Sequence, residues 1–329
     1  MSASGKSVLI FGAGSVGCLV GGLLAKAGHR VTFIARRRIV EALRASGLTI
    51  SGVWGEHRVS GPLEAFESIS DIPDAPCLWD WVLITTKSFD TASAVHEIRS
   101  LLPGIGFCIS LQNGLGNLET IAREIGWGKT LGGRVITGVE IPHPCEVRVT
   151  VHADEIRLGH LRREVSISAI EEIAAQWRAA GIPVSATEEL EQYIWAKVLY
   201  NVALNPLGAL LGATYGDLAD HEPTREIMNE LIEEAFAVAT AHGVHLFWSD
   251  PGAYREVFYG QMVPPTRGHY PSMLRDLEFG RRTEIDALNG EIVRLAEEKG
   301  IRVPANRLIA RLIRYREKEG LGRGKAVSS

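Results

Sequence analysis

The sequence predicts an α/β N-terminal domain built on a parallel sheet, followed by an all-α C-terminal domain. Up to about Thr187, short apolar runs bounded by glycine alternate with amphipathic segments of helical period. A G-x-G-x-x-G sequence lies at the first predicted strand-to-helix turn. From Glu188 onward every segment has helical periodicity. The predicted domains are therefore residues 1–187 and residues 188–329.

Composition excludes several classes of protein. The 329 residues suffice for two domains with cores of their own. The hydrophobic fraction of 46% is ordinary for a globular chain and excludes wholesale disorder. With 35 basic and 39 acidic residues the formal charge is −4, which argues against a nucleic-acid-binding surface. No apolar run reaches the roughly 18–20 residues that span a bilayer, so no membrane partner is expected.

The cysteines and histidines suggest neither disulfides nor a metal site. The cysteines are scattered, no C-x-x-C pair occurs, and no secretory leader precedes the first predicted strand. Reduced, mostly buried thiols in a cytoplasmic protein are the simplest interpretation. The four residues concerned are Cys18, Cys77, Cys108 and Cys145. His242 and His245 are three apart but lack a third ligand, so no metal is predicted.

The chain opens with a complete β-α-β motif of about thirty residues. Val8–Phe11 is a short apolar strand, a helix follows from Cys18 to Ala27, and His29–Arg36 is the second strand. Between the first strand and the helix lies Gly12-Ala-Gly-Ser-Val-Gly17. This arrangement is typical of a Rossmann-type dinucleotide-binding domain.

Each glycine of the motif has a physical reason. Gly12 permits the tight turn, Gly14 lets the backbone approach a pyrophosphate, and Gly17 lets the helix pack closely on the strand. The amides at the N-terminus of the helix favour a phosphate. The predicted phosphate-binding residues are Gly12, Ala13, Gly14, Ser15, Val16 and Gly17. The alternative is a glycine-rich turn that binds no ligand.

The end of the second strand selects the cofactor. NAD enzymes usually carry an acid there to hold the ribose 2′-hydroxyl, but Ile34-Ala-Arg36 has none. An arginine can instead receive a 2′-phosphate, so the sequence predicts NADP (NADPH) with Arg36 as the main contact. The alternatives are a solvated Arg36 at the start of the next helix, and a role shared with Arg37 and Arg38.

Two further strand ends carry candidate site residues. One strand, Trp79–Thr85, is followed by Thr86-Lys87, and another, Phe107–Leu111, is followed by Gln112-Asn113-Gly114. The carboxyl ends of strands in an open α/β sheet point into the ligand crevice. Lys87 and Asn113 are therefore predicted to border cofactor or substrate. Alternatively, Lys87 is a solvated lysine and Asn113 caps a helix that starts at residue 115.

The other predicted elements complete the two domains. The α/β part contains a β excursion (48–61), a strand (130–137), a hairpin (147–158), a helix (165–180) and a final strand (182–185). The helical part contains helices at 223–241, 250–262, 272–279, 283–299 and 304–318.

The first helix of the second domain is mostly apolar, yet it carries polar residues at intervals of four. Lys197, Asn201 and Asn205 therefore lie on one stripe of the helix. A buried lysine is costly without a partner, and no acid lies on the same stripe. We expect the stripe to contact solvent or to line a polar cleft.

Two later residues are candidates for the same site. Ser272 opens the segment Pro271–Asp276, where a hydroxyl suits a helix cap or a carboxylate donor. Glu284 lies in the first turn of a predicted helix. An acid there either complements the helix dipole or pairs with Lys197.

Taken together, these residues resemble the ketopantoate reductase (2-dehydropantoate 2-reductase) family over nearly the full chain, from Val8 to about Lys318. The resemblance is carried by Gly12–Gly17, Thr86-Lys87, Asn113-Gly114, Trp195–Lys197 with Asn201, Asn205-Pro206, Ser272–Asp276, Glu284–Asp286 and Asn289-Gly290. The lysine-asparagine helix, the serine segment and the Glu-Ile-Asp segment make it specific by their order and spacing.

The resemblance implies NADPH-dependent reduction of a 2-oxo acid, first of all 2-dehydropantoate (ketopantoate) to pantoate. Lys197 would be the general acid, and Glu284 would bind Lys197 or a substrate hydroxyl. Asn201 and Asn205 would orient the substrate, and Ser272 would hold its carboxylate. A cationic lysine suits this chemistry, because negative charge builds on the carbonyl oxygen as hydride arrives.

The resemblance also implies that Lys87 and Asn113 border the nicotinamide. The chain departs from the family pattern at His269, three residues before Ser272, where an asparagine often contacts the substrate hydroxyl. Residues 140–145 also differ from the usual loop of the family. We therefore expect His269 to line the substrate site, and both departures bear on which substrate is bound.

Three alternatives stay open. One is a related NADP-dependent reductase of another 2-oxo acid or carbonyl compound. Another is a dehydrogenase of the 3-hydroxyacid type, which shares the two-domain plan but does not supply the Ser272 and Glu284 segments. The third is a non-catalytic NADP-sensing protein, against which Lys197 argues, since a sensor has no need of a proton donor. The oligomeric state is also open, a homodimer being one option.

Overall fold

The computed structural model describes residues 5–73 and 78–326, with side chains described as far as residue 320. Cys77 lies outside the described residues. The chain divides into two compact units. Unit 1 comprises Met1–Asn113 and Asn117–Leu190, and unit 2 comprises Gly114–Gly116 and Glu191–Ser329.

Unit 1 is built on one sheet of ten strands. The strands are β1 (Ser7–Phe11), β2 (Arg30–Ile34), β3 (Leu48–Gly52), β4 (His57–Val59), β5 (Glu64–Phe66), β6 (Trp79–Ile84), β7 (Ile105–Ser110), β8 (Thr130–Glu140), β9 (Glu146–Gly159) and β10 (Val184–Thr187). The helices are α1 (Ser15–Lys26), α2 (Arg37–Ser46), α3 (Thr91–Ile98), α4 (Asn117–Ile125) and α5 (Ile167–Ala179). The strand order is β4-β3-β9-β8-β7-β6-β1-β2-β5, and β10 pairs with β9.

The strands from β5 through β2, β1, β6 and β7 to β8 are all parallel. The chain order reverses at β1, since β2 and β5 lie on one side of it and β6, β7 and β8 on the other. This is the switch point of a doubly wound sheet, beyond which ligands bind at the carboxyl ends of the strands. The predicted Rossmann-type α/β domain is confirmed.

Both faces of the parallel strands are covered, which explains why these strands are continuous apolar runs. Val8 and Ile10 of β1 belong to the same core cluster as Trp177 of α5. Leu9 and Phe11, on the opposite face, belong to a second cluster that includes residues of α3. Because β1 is buried on both faces, its sequence does not alternate between apolar and polar residues. Such a strand belongs in the interior of the sheet and not at its edge.

The predicted hairpin at 147–158 is wrong. β9 is a single strand of 14 residues that pairs antiparallel with β8, and the hairpin connects these two strands. The segment His152–Asp154, in which His152 and Ala153 are exposed, resembles a turn in the sequence but stays extended. It does so because β8 pairs along the strand, while β3 pairs with residues 146–149 and β10 with residues 156–159.

Unit 2 is all helical, as predicted. Its helices are α6 (Leu190–Leu211), α7 (Tyr215–Asp220), α8 (Glu222–Ala241), α9 (Pro251–Val257), α10 (Ser272–Glu278), α11 (Asn289–Lys299) and α12 (Pro304–Ala326). A π-helical turn, Phe258–Met262, extends α9. The short α7 was not predicted; Thr214 caps it, because its side chain accepts from Asp217 N and Asp217 bonds back to Thr214 N.

Helix α6 contributes its apolar residues to the core of unit 2, where they cluster with those of α8, α11 and α12. In the described part of the chain it is the one helix long and apolar enough to cross a membrane by length and composition. The most apolar stretch of 18 residues in this helix is 61% buried inside the protein, as in the core helix of a globular domain. Lys197 and the two asparagines interrupt the apolar sequence of this helix, so it contains no continuous apolar run long enough to span a bilayer.

Candidate active site

The glycine-rich turn between β1 and α1 is shaped by its own backbone. Gly12 has a φ of +107°, and a Cβ there would lie 2.7 Å from the backbone N of Thr86. A Cβ on Gly17 would lie 2.3 Å from the carbonyl oxygen of Gly12. Thr85 Oγ1 donates a hydrogen bond of 2.6 Å to that same carbonyl. Both glycines are therefore required by the packing of the turn itself.

Gly14 is different. Its φ of −80° is accessible to other residues, and a Cβ there would meet only the carbonyl oxygen of Thr85, at 3.9 Å. The packing of the protein thus gives no reason for a glycine at this position. Gly14 is the N-cap of α1, a 12-residue helix with no acidic residue in its first turn. Open space beside the first-turn amides of a helix fits a phosphate of a dinucleotide.

The three arginines after β2 are all exposed but are not equivalent. Arg37 forms an ion pair of 3.0 Å with Glu41, and the hydrogen bond raises the pKa of Arg37. Arg36 and Arg38 form no such pair within the described residues. Arg36 is the N-cap of α2, two residues beyond the end of β2. Arg36 and Arg38 are therefore the guanidinium groups still available to a 2′-phosphate.

Lys87 follows the carboxyl end of β6, the neighbour of β1 in the sheet. It is half-buried and is the N-cap of a 3-10 turn, Ser88–Asp90. Two residues earlier, the backbone N of Thr85 donates to Phe11 O at 2.9 Å. The structure thus brings the Lys87 segment and the glycine-rich turn to the same end of two adjacent strands.

Gln112 positions this segment, and sequence reasoning missed it. Its Nε2 lies 3.1 Å from Thr86 O, 3.4 Å from Lys87 O and 2.8 Å from Thr91 Oγ1. Its Oε1 accepts from Ser110 Oγ at 3.0 Å. A glutamine after a strand is unremarkable in the sequence, and its partners become visible only once β6 and β7 are neighbours. Gln112 therefore fixes the backbone on which Lys87 lies.

Asn113 is tied to the same network. Asn117 Nδ2 donates to Asn113 O at 2.9 Å, and Thr91 Oγ1 lies 2.9 Å from Asn117 Oδ1. The helix α4 begins at Asn117, four residues after Asn113. Gly114 and Gly116 have φ values of +86° and +83°, which is why the helix starts two residues later than predicted. The alternative role of Asn113 as a helix cap stays a prediction.

In unit 2 the polar stripe of α6 runs through a mostly apolar core. Lys197 is half-buried, whereas Asn201 and Asn205 are each 8% exposed. The adjacent residues Val198 and Val202 are buried almost completely. Burial of polar side chains costs free energy unless they are hydrogen-bonded, so apolar packing does not account for the stripe.

Asn205 is oriented by a tyrosine that sequence reasoning did not single out. Tyr215 Oη donates to Asn205 Oδ1 at 3.0 Å, and burial raises the pKa of Tyr215, which therefore stays protonated as a donor. Because the Asn205 side-chain oxygen already accepts this hydrogen bond, the orientation of the amide is fixed. Its Nδ2 is then the group that can bind a ligand. The rings of Tyr200 and His269 flank Tyr215, with centroids 5.8 and 5.3 Å away.

Asn201 has a different environment from Asn205. In the part of the chain whose side chains are described, no group hydrogen-bonds to its amide, although the residue is 8% exposed. Neither amide atom of Asn201 is among the fully buried side-chain atoms that lack a partner in the described residues, so both keep some contact with solvent. An amide that combines this limited solvent contact with unused hydrogen-bonding groups is suited to contact a polar substrate.

Glu284 does not lie in the first turn of α11, so that expectation is wrong. A 3-10 turn, Ile285–Ala287, separates it from the start of α11 at Asn289. The intervening Leu288 has φ and ψ of −107°, outside the helical region, so no helix can run through it. Glu284 is 9% exposed, and an acid buried at that level is not explained by a helix dipole alone.

The residues around Glu284 are anchored to α12. Thr283 N donates to Glu317 Oε1 at 2.6 Å, and Arg314 Nη2 lies 2.7 Å from Asp286 Oδ1. Although burial raises the pKa of Asp286, hydrogen bonds from Arg314 and Arg282 lower it overall. This anchoring holds the backbone on both sides of Glu284 in place.

Within unit 2 the Glu284 segment and α6 are in contact. Asn289 Nδ2 donates to Val202 O at 3.1 Å. Lys197 lies five residues before Val202, about 7.5 Å along the helix, and Glu284 lies five residues before Asn289. The predicted pairing of Lys197 with Glu284 is compatible with this contact and stays a prediction.

Ser272 and His269 lie on the surface of unit 2. Ser272 is exposed and is the first residue of α10, whose N-cap is Pro271, so the cap interpretation of Ser272 is wrong. His269 is also exposed, and its carbonyl accepts from Tyr215 N at 3.1 Å. His269 therefore adjoins the tyrosine that orients Asn205, whereas Ser272 offers its hydroxyl to solvent or a ligand.

No group of three or more His, Cys, Asp or Glu residues that could hold a metal ion occurs within residues 5–73 and 78–326. His242, one of the two histidines noted in the sequence, has its Nε2 2.9 Å from Leu295 O. Through this contact the His242 ring, at the end of α8, is joined to the backbone of α11.

Two family models match the chain. The model described as "Ketopantoate reductase PanE/ApbA" matches residues 8–163, and the model "Ketopantoate reductase PanE/ApbA C terminal" matches residues 189–317. The 2-dehydropantoate 2-reductase of Aquifex aeolicus is 36% identical over 309 residues, which cover 94% of this chain and 96% of that protein. That of Pyrococcus horikoshii is 33% identical over 315 residues, or 96% and 99% of the two chains.

A solved structure agrees with these matches. The PanE/ApbA family ketopantoate reductase of Ralstonia eutropha JMP134 superposes with a TM-score of 0.83 at 34% identity, covering 96% of this chain and 99% of that one. The family resemblance predicted from the sequence is therefore confirmed. By its Rossmann-type unit, its helical unit and these similarities, the chain belongs to the ketopantoate reductase family.

Proposed function

We propose that this protein is an NADPH-dependent 2-dehydropantoate 2-reductase, which reduces ketopantoate to pantoate. The observation that carries the proposal is the polar stripe of α6. Lys197, Asn201 and Asn205 occupy one stripe of a core helix, and the buried amide of Asn201 has no partner among the described side chains. In a chain 36% identical to a 2-dehydropantoate 2-reductase, a 2-oxo acid is the ligand that best matches such a stripe.

The cofactor proposal rests on unit 1. The first-turn amides of α1 beside Gly14 would bind the pyrophosphate, and Arg36, with help from Arg38, would bind the 2′-phosphate that distinguishes NADPH from NADH. Lys87 and Asn113 would border the nicotinamide. When bound, NADPH supplies the hydride that adds to the carbonyl carbon of the substrate.

Lys197 would act as the general acid. As the carbonyl carbon gains hydride, its oxygen acquires negative charge, which the ammonium group stabilises before giving it a proton from Nζ. The products are the hydroxy acid and a neutral amine, which regains a proton from solvent. Glu284 would hold the lysine in its charged form and in position, because an opposite charge nearby favours the ammonium.

The substrate would be held by side chains of unit 2. Asn205 would donate from Nδ2, since its Oδ1 already accepts from Tyr215. Asn201 would supply both a donor and an acceptor, and the exposed hydroxyl of Ser272 would donate to the substrate carboxylate. A charge-assisted hydrogen bond of this kind is worth about 1.5–3 kcal/mol.

A second candidate is the reduction of another 2-oxo acid by the same chemistry. The observation that favours it is His269, whose imidazole ring packs against Tyr215. A histidine is larger than an asparagine and is either a donor or an acceptor at each ring nitrogen. It would therefore change which substituent on the 2-oxo acid is accepted, without altering hydride transfer or protonation.

We further propose that the enzyme works in the cytoplasm on a small-molecule 2-oxo acid, with neither nucleic acid nor membrane as a partner. A homodimer is one option for its oligomeric state. Light scattering of the purified protein during gel filtration would distinguish a monomer from a dimer directly.

The test is NADPH oxidation against a panel of 2-oxo acids that includes ketopantoate and 2-oxoisovalerate. These two differ only by the hydroxymethyl group of ketopantoate, so they report recognition of its hydroxyl. We expect the highest kcat/KM with ketopantoate. Turnover of another member but not of ketopantoate would favour the second candidate, and tight NADPH binding with no turnover of any member would favour a sensor.

A further inference from the structure

A proline interrupts the hydrogen bonding of α6 at the end of the polar stripe. Pro206 lies inside the 22-residue helix, directly after Asn205. Proline has no N–H, so the carbonyl four residues earlier, that of Val202, loses its helical donor. Val202 is fully buried, and a buried carbonyl left without a donor destabilises the fold.

The missing donor comes from the start of α11. Asn289 is fully buried, and its Nδ2 donates to Val202 O at 3.1 Å and to Asn306 Oδ1 at 3.0 Å. Both N–H groups of the amide are thus used. Asn289 Oδ1, by contrast, has no partner among the described residues. Asn289 therefore serves as a double donor, a role that neither aspartate nor leucine of similar size can take.

The partner of Asn289 is itself held firmly. Asn306 Nδ2 donates to Leu231 O at 3.1 Å and to Glu234 Oε2 at 2.9 Å. Glu234 also accepts from the backbone N of Ala305 and Asn306, at 2.8 and 2.9 Å. The carbonyl orphaned by the proline is thereby connected to α8, α11 and α12 through one chain of buried hydrogen bonds.

The location of this bond matters for the proposed reaction. Val202 adjoins Asn201, Pro206 adjoins Asn205, and Asn289 ends the short segment that begins at Glu284. The bond therefore joins the helix that carries the stripe to the segment that carries the acid, where the helix lacks its own hydrogen bond.

We infer that Asn289 is a positioning residue, which replaces the hydrogen bond removed by Pro206 and thereby fixes the Lys197–Asn205 stripe relative to Glu284. The role in catalysis rests on the proposed function; the hydrogen-bond replacement does not. The two parts are tested by separate readouts.

The structural part is tested by a mutant cycle in thermal stability. Asn289→Ala leaves Val202 O without a donor, so we expect the unfolding midpoint to fall by roughly 3–8 °C. Pro206→Ala restores an N–H at residue 206 that can bond Val202 O, so the same Asn289→Ala change should then cost less than half as much. Equal losses in the two backgrounds would overturn the inference.

A matched control is available on α8. Asn229 Oδ1 accepts from Tyr259 Oη at 2.9 Å, a hydrogen bond that involves no carbonyl freed by a proline. Asn229→Ala should therefore shift the midpoint equally in the wild-type background and in the Pro206→Ala background. If its effect also depended on residue 206, the coupling would reflect a general change in α6 and not the Asn289 bond.

The catalytic part is tested with whichever 2-oxo acid the substrate panel identifies. We expect Asn289→Ala to lower kcat roughly tenfold, the effect of about 1.4 kcal/mol, while the dissociation constant of NADPH stays unchanged. Pro206→Ala should restore most of that kcat. Loss of stability without loss of kcat would show that Asn289 holds the fold but does not position the stripe. If the alanine variant fails to fold, Asn289→Leu, which has a side chain of similar size, repeats the test.

Discussion

Unit 1 and unit 2 prepare their groups for a ligand by opposite means. Unit 1 offers main-chain amides beside Gly14, on a turn whose other glycines, Gly12 and Gly17, are needed by the packing of the turn itself. Unit 2 offers polar side chains buried in a core, of which Asn201 and Glu284 are 8% and 9% exposed. In the first case folding and binding favour the same residues; in the second they conflict.

This difference predicts how substitutions behave. Where packing and function agree, a single change affects both the stability of the fold and the binding of ligand, except at a residue such as Gly14 that packing leaves unconstrained. Where they conflict, removing a polar group that has no hydrogen-bond partner in the protein should improve stability and damage function. Four experiments test this contrast, beginning with the largest expected effect.

Lys197→Ala should lower kcat by roughly 10²- to 10⁴-fold, the usual contribution of a general acid. The NADPH dissociation constant should stay nearly the same, because the lysine belongs to the other unit. Steady-state kinetics and a fluorescence titration with NADPH measure the two effects. Lys299→Ala, an exposed lysine of the same unit, is the control and should keep full turnover. A Lys197→Ala variant with most of its turnover would rule out the acid role.

Arg36→Ala should weaken NADPH binding by roughly 10- to 100-fold, because a charge-assisted hydrogen bond contributes about 1.5–3 kcal/mol. NADH, which has no 2′-phosphate, should bind equally well before and after the change. Arg37→Ala is the matched control, since that guanidinium is already engaged by Glu41. The prediction fails if Arg37→Ala has the larger effect, or if the wild-type protein binds both cofactors equally.

Gly14→Ala and Gly17→Ala should separate binding from folding within one turn. The first should raise the NADPH dissociation constant by roughly tenfold, the loss of about 1.4 kcal/mol, and leave the unfolding midpoint within about 2 °C. The second should lower the midpoint by several degrees, because its Cβ would lie 2.3 Å from Gly12 O. Thermal unfolding without cofactor, followed by titration, distinguishes them; a Gly14→Ala protein that binds NADPH normally would contradict the phosphate assignment.

Asn201→Leu and Asn205→Leu should shift stability in opposite directions. Asn201 has no hydrogen-bond partner among the described side chains, so leucine buries more apolar surface without breaking a hydrogen bond and should raise the unfolding midpoint by a few degrees. Asn205→Leu should lower it by a similar amount, because the buried Tyr215 hydroxyl then loses its acceptor. Both should raise the KM for the 2-oxo acid. A fall in the midpoint for Asn201→Leu would show that its amide has a structural partner after all.

Much of unit 1 could be predicted from local sequence. The apolar runs, the glycine spacing and the absent acid before Arg36 each report a constraint that acts within a few residues. What local sequence missed in this unit was long-range: Gln112 and Thr91 make their hydrogen bonds only after β6 and β7 pair. The hairpin prediction at 147–158 failed for the same reason, because β9 stays extended by pairing with three other strands.

In unit 2 the stripe could be predicted from the sequence, but its surroundings could not. The spacing of four in Lys197, Asn201 and Asn205 follows from helical geometry alone. The bond from Tyr215 to Asn205 could not be predicted, nor could the interruption of the predicted helix after Glu284. Both depend on how separate helices pack against one another, and the sequence of a single helix does not indicate which other helix it will contact.

The sequence by itself determined the fold class, the order of the motifs and the choice of NADPH over NADH as the expected cofactor, because each is set by residue types at fixed local spacing. Only the tertiary structure decided which polar groups are already hydrogen-bonded and which are left for a ligand. It distinguished Arg37, paired with Glu41, from Arg36, and Asn205, bonded to Tyr215, from Asn201. The physical reason is that a hydrogen bond needs two groups within about 3 Å, and packing alone decides which residues distant in sequence come that close.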